Sequence, residues 1–222
     1  MVARLSHLND SPYPRFYYFN QYLNRVVHQH LTLADYFLLP EYESKNKIAV
    51  FIRNPYDRAY SGFRQLQIDL QEQPKQEYPS PWIRDLVMKQ LAENLSQLKK
   101  ANFDFDRWID LVTEDQIYES GRNSSFPLHP LHYWTHRLDK QIADFIGKVE
   151  EFEVDFRRLQ SEYGIETSIK TNSNVVEIEG DARLNPLGYR YSSRMSRKSI
   201  DKINQIFLKD FQLFSYEIIK VP

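Results

Sequence analysis

Two rhythms of apolar and polar residues alternate along this chain, and each change of rhythm marks an element. Ile48–Ile52 is an unbroken apolar run, IAVFI, of strand length and β-branched character. Such a run suits a strand covered on both faces, as in a parallel sheet. Helical spacing follows at once. Asn54 is a good N-cap and Pro55 a good first helical residue, which predicts a helix from about Pro55 to about Leu70. Between Trp82 and Lys100, Ile83, Leu86, Val87, Leu91, Leu95 and Leu98 form one stripe. Phe105–Val112 is a shorter helical candidate, and residues 119–131, ESGRNSSFPLHPL, read as a loop. A second buried strand is predicted over Ala143–Val149, then a helix over Glu151–Tyr163 closed by Gly164. Residues 166–196 are polar, carry several arginines and read as a long surface loop. Ser196 opens a last helix with Ile200, Ile203, Ile206 and Phe207 on one face, and Phe211 and Phe214 extend that stripe. Upstream, residues 16–37 are rich in aromatics. There Tyr22–Val27 predicts a short strand, and Thr32 caps a short helix through Phe37 that Pro40 ends. Strand, helix, strand, helix is the order of an α/β domain.

Composition narrows the function classes. With 222 residues, 41% of them hydrophobic, the chain suits one domain with a full core. Its 29 Lys and Arg nearly balance 30 Asp and Glu, so no global field draws it to nucleic acid or to an anionic membrane. There is no cysteine, which excludes disulfides, thiolate metal sites and thiol catalysis. No apolar run has the length of a membrane span, and MVARLSHLND lacks the apolar centre of a signal peptide. The expectation is a cytoplasmic protein with neither membrane nor nucleic acid as partner.

The chemistry concentrates where the first apolar run meets its helix. A strand leading into a helix start offers free backbone N–H groups and a positive dipole end, both of which favour a phosphate. Arg53 adds a planar fork of donors. Ser61 lies seven residues after Asn54, so it shares a helix face with Asn54, Asp57 and Arg58. A plainer reading stands beside this one: Arg53 pairs with a carboxylate such as Asp57, and Ser61 is a small packing residue.

The stretch Arg-Asn-Pro-Tyr-Asp-Arg-x-x-Ser-x-Phe, after an apolar strand, resembles the 3′-phosphate-binding motif of sulfotransferases that use 3′-phosphoadenosine 5′-phosphosulfate (PAPS). DFIGKVE at Asp144–Glu150, followed by Asp155-Phe156, is similar to the DFIGKFE segment of Golgi carbohydrate sulfotransferases, the chondroitin type included. KDFQLFSY at Lys209–Tyr216 is similar to their terminal motif. The resemblance runs from about Tyr17 to Tyr216. It implies a P-loop-NTPase-like parallel sheet flanked by helices, as a single domain over residues 1–222. It implies PAPS as co-substrate, released as 3′,5′-adenosine bisphosphate (PAP), with no metal required. It also implies a carbohydrate or other hydroxyl acceptor, a 3′-phosphate held by Arg53 and Ser61, and a late basic loop supplying Arg190 and Arg194. Those two arginines equally suit a solvated polar loop.

Sulfuryl transfer needs a base for the acceptor hydroxyl, and histidine suits that task. HQHLTLADY, from His28, is similar to the HGHVSYLDF of heparan sulfate 2-O-sulfotransferases. That likeness implies His30 as the base with His28 as its support. Without it, one or both histidines read as structural or exposed. His129, His132 and His136 read as loop or acceptor-cleft residues, and Tyr133 stands where a zincin-like motif needs glutamate.

One family part is not found. PAPS enzymes carry a Pro-Lys loop for the 5′-phosphosulfate, and no Pro-Lys precedes Arg53. By family spacing Met1 stands where that loop would just have ended, which makes the expected fold N-terminally truncated. A misassigned start, a trimmed chain and a degenerate member that binds nucleotide without transferring anything are the three explanations. Each removes a strand and leaves a sheet edge or gap that a homodimer would cover. A kinase-like P-loop protein is the remaining option, opposed by the missing Walker sequence.

Overall fold

The computed structural model describes residues 18–27, 32–38, 47–75, 77–78, 80–119, 128–166 and 189–220. His28 and His30 lie outside the described residues. The centre is a two-stranded parallel sheet of β3 (Ala49–Ile52) and β6 (Phe145–Lys148), in register from Ala49 against Phe145 to Ile52 against Lys148. Both strands lie where the apolar runs predict them. Alternation sends their side chains to two helical layers. Ile52 joins the core beneath α2 (Pro55–Glu72), while Phe51 meets Phe152 and Phe156 of α6 (Phe152–Tyr163) at ring separations of 4.9 and 6.4 Å. Gly147 permits this packing: a Cβ there would stand 2.6 Å from the Phe51 ring.

The α2 helix presents Tyr56, Ala59, Phe63 and Leu66 to the core at intervals of three and four residues. Against it pack α3 (Pro81–Lys100), α4 (Phe105–Leu111), α7 (Arg197–Ile206) and α8 (Leu208–Phe214) through Leu98, Phe105, Trp108, Ile203, Phe207 and Phe211. Burying each such side chain contributes roughly 1.5–3 kcal/mol. The α3 stripe is buried at Ile83, Val87, Leu91 and Leu98, whereas Leu86 stays exposed.

Local chemistry sets the boundaries. Thr32 caps α1 (Leu33–Tyr36) by accepting from Asp35 N, and Ser196 caps α7 by accepting from Ser199 N. Gly164 ends α6 at φ 63°, where glycine bears no Cβ penalty.

Three expectations change. The strand expected over Tyr22–Val27 is a hairpin, β1 (Tyr18–Asn20) with β2 (Arg25–Val27), because Asn20 Oδ1 accepts from Tyr22 N and Leu23 N and turns the chain. The last helix breaks at Phe207 into α7 and α8, although its apolar stripe runs on across the break. A short helix, α5 (Glu114–Glu119), also precedes the expected loop. Thr113 and Gln116 cap it reciprocally, each side chain accepting from the other's backbone N–H, a Thr-x-x-Gln box readable in the sequence. A small hairpin of β4 (His136–Arg137) and β5 (Lys140–Gln141) completes the elements used below.

Candidate anion and acceptor site

Asn54 builds the turn between β3 and α2. It is fully buried, its Oδ1 accepts from Asp57 N at 2.9 Å, and its Nδ2 donates to Asp57 Oδ2 at 2.8 Å. Glu150, just past β6, accepts from Asn54 N at 2.7 Å and from Nδ2 at 2.9 Å. One asparagine thus joins the ends of both parallel strands, the edge where open α/β sheets bind ligands.

Asp57 reaches farther. Its carboxylate accepts from the backbone N–H of Arg190 at 3.0 Å and of Tyr191 at 2.7 Å. The late loop is thereby fastened to the first turn of α2 across more than 130 residues of chain. The carboxylate does not pair with Arg53, so the plainer reading of that arginine is not what the structure has. The Arg53 guanidinium instead lies 5.7 Å from the centroid of the Tyr191 ring, which stacks on Tyr60 at 4.7 Å and 17°. Arg190 approaches the same ring at 6.0 Å. Arg53 is half-buried, and no described carboxylate pairs with it. Two guanidinium groups thus lie at one ring, with the nearby acid occupied by backbone N–H groups.

Ser61 is half-buried on the second turn of α2, beside Tyr60, and its hydroxyl bonds to no described residue. Arg194 ends the 3₁₀ turn Ser192–Arg194; its N–H donates to Tyr191 O at 3.0 Å and its side chain is exposed. The structure thus brings Arg53 and Arg190 together at one ring. It sets Ser61 on the adjoining helix and Arg194 on the same loop as Arg190. Sequence reasoning missed the clamp made by Asp57 and the platform made by Tyr191. The Asn-x-x-Asp spacing signals a cap, but nothing local signals a loop 133 residues away.

A second polar cluster gathers around Arg58, the residue after Asp57 in α2. The Arg58 guanidinium donates through Nη2 to His129 O and lies between the Trp134 and Phe207 rings, at 5.6 and 5.7 Å. Burial lowers its pKa to about 10, against the pull of nearby Asp210. Asp210, fully buried on α8, accepts from Leu131 N at 2.6 Å and His132 N at 3.0 Å, and pairs with His132 Nδ1 at 2.7 Å. In the neutral ring that contact places the proton on Nδ1 and leaves Nε2 as a base. His129 Nδ1 meets Ile117 O at 3.1 Å, and burial holds its pKa below the usual histidine value. Arg58 Nη1 and His129 Nε2 are buried without hydrogen-bond partners. His136 pairs with Thr135 Oγ1 at 2.8 Å and is likewise lowered by burial.

This cluster adjoins the segment after His30. The α1 helix packs on the 3₁₀ turn Leu131–Trp134 and on β4, with Arg137 of β4 5.9 Å from the Phe37 ring. Among the described residues, no group of His, Asp or Glu is placed to hold a metal ion.

A model of the Sulfotransferase family matches residues 15–217, nearly the whole chain. The chain belongs to the sulfotransferase family. Membership means a transferase of the sulfuryl group, and sulfotransferases use PAPS as their donor. The parallel pair β3–β6 between helices agrees with a sulfotransferase fold. Comparisons with curated proteins and with solved structures gave no match.

Proposed function

We propose that this sulfotransferase is of the carbohydrate type and transfers the sulfuryl group of PAPS to a saccharide hydroxyl, on a P-loop-NTPase-like sheet. Arg53 and Ser61 hold the 3′-phosphate, with Arg190 and Arg194 closing over it. One observation carries the reading: Arg53 lies on the Tyr191 ring without a carboxylate while Asp57 is occupied by the Arg190 and Tyr191 amides. His30, with His28 beside it in sequence, takes the acceptor proton as the new oxygen–sulfur bond forms and the bridging oxygen–sulfur bond breaks. PAP is left as product. In-line transfer of this kind relies on positioned donors and needs little covalent chemistry from the protein.

Calorimetry of the full chain with PAP and with 5′-AMP tests the phosphate site. The expected result is a preference for PAP that Arg53→Ala abolishes; equal binding of both nucleotides by the wild-type protein contradicts the assignment.

A second reading concerns the base alone. The Asp210 contact fixes His132 as a histidine–carboxylate pair, in the orientation a general base requires. His30→Asn and His132→Asn separate the two when PAP release from PAPS is followed alongside PAP affinity. The variant that loses turnover at unchanged affinity identifies the base.

A further inference from the structure

The chain from Tyr216 to Ile219 lies in neither a helix nor a strand, and among the described residues it joins no sheet. Side chains bind its edge in place of a backbone ladder. The Tyr189 hydroxyl donates to Glu217 O at 3.0 Å and accepts from Glu217 N at 2.8 Å. Two residues on, the Tyr56 hydroxyl accepts from Ile219 N at 2.8 Å, and Asn204 Nδ2 donates to Ile219 O at 3.0 Å. Tyr56 in turn donates to Asn204 Oδ1. These contacts engage the backbone N–H and C=O of both Glu217 and Ile219. Tyr216 adds a third tie by donating to Glu150 Oε2 at 3.0 Å, with Lys148 Nζ 4.7 Å from its ring.

Each tie ends beside a part of the anion receptor. Tyr56 stands three residues after Arg53, and Tyr189 stands immediately before Arg190. Glu150 holds both the backbone and the side chain of Asn54. Tyr56 and Tyr189 also pack on each other at 5.5 Å. Burial raises the pKa of all three tyrosines, Tyr56 to about 12, so the hydroxyls keep their protons at physiological pH. This terminal segment therefore touches the β3–α2 junction, the late arginine loop and the end of β6 at once.

We propose that Tyr216–Ile219 is a latch that holds the two arginine-bearing parts of the receptor in register, with Tyr189 and Tyr56 as positioning residues. The proposal rests on the 3′-phosphate reading of Arg53. Its consequence is specific: loosening the latch weakens contacts to the 3′-phosphate and leaves the rest of the nucleotide's contacts alone.

Calorimetry with PAP and 5′-AMP on the same preparation reads this directly. A ratio of two affinities cancels any unfolded fraction, so general destabilisation does not move it. Tyr189→Phe removes only the hydroxyl and keeps the ring. A chain ending at Tyr216 removes the gripped residues. Both are expected to lower the PAP-to-AMP preference about five-fold or more, the scale of a lost hydrogen bond or two. An undiminished preference in both variants overturns the latch while leaving the phosphate site standing. Equal wild-type affinity for the two nucleotides overturns the phosphate site, and the latch's role falls with it.

Discussion

Two polar regions meet α2, and they treat charge in opposite ways. At its first turn, Asp57 and Glu150 accept from backbone and side-chain amides, and Arg53 is left facing outward on an aromatic ring. One residue on, Arg58 lies over the Trp134 and Phe207 rings, and Asp210 is sealed against His132 and two backbone amides. The difference lies in what each carboxylate holds. In the first region the acids organise backbone and leave Arg53 without a described carboxylate partner. In the second, acid and base are enclosed together, and their pairing sets the tautomer of a histidine. The first arrangement favours binding a ligand's charge, while the second favours stability and proton handling.

Breaking the enclosed region should have the largest effect. Asp210→Ala strips the acceptor from Leu131 N and His132 N and leaves the Arg58 cation without its nearby anion. Urea unfolding should show a loss of about 3–5 kcal/mol, as for other buried charge partners. A loss below about 1 kcal/mol would mean that the region relaxes freely and that the contrast is false.

The open region should respond in binding and hardly at all in stability. Arg53→Ala is expected to weaken PAP about 10- to 100-fold, the range for a hydrogen bond to a charged group, with little change in the urea midpoint. A midpoint shift as large as that of Asp210→Ala would make Arg53 a structural residue.

Acid should separate the regions with the smallest effect. Burial lowers the His129 and His136 pKa values in the fold, so the unfolded chain takes up protons first as pH falls below about 6.5. Stability then drops by at most about 1.4 kcal/mol per pH unit for each such proton, and levels off below the folded pKa values. Thermal midpoints between pH 7.5 and 5 should follow that course, and His129→Gln should flatten it. An unchanged slope in the variant would remove His129 from the account.

Much of the frame was legible in advance. The IAVFI run, Asn54-Pro55, Thr32, Gly164 and Ser196 each act through neighbours within a few residues, so their strands, caps and stops follow from local order. The Thr113-x-x-Gln116 box was equally local and was passed over. The places of Arg53 at a strand end and Ser61 on the helix face were readable because both are short-range geometry. That the loop bearing Arg190 docks on Asp57 was not readable locally, because a polar loop carries no periodicity that says where it docks. His132 read as a loop or acceptor-cleft residue, but its partner Asp210 lies 78 residues away, in a helix that pattern merely extended.

By itself the order of residues determined which segments are strands and helices, where most of them stop, and which helix mouth bears the arginine. Those outcomes depend on backbone propensity, caps and apolar period, all of which act over a turn or two. Only the tertiary structure decided that Asp57 holds a distant loop and not Arg53, that Asp210 selects a histidine tautomer, and that two tyrosine hydroxyls grip the chain near Ile219. Such choices are made by desolvation: once the core closes, every buried donor and acceptor must find a partner wherever the fold has brought one.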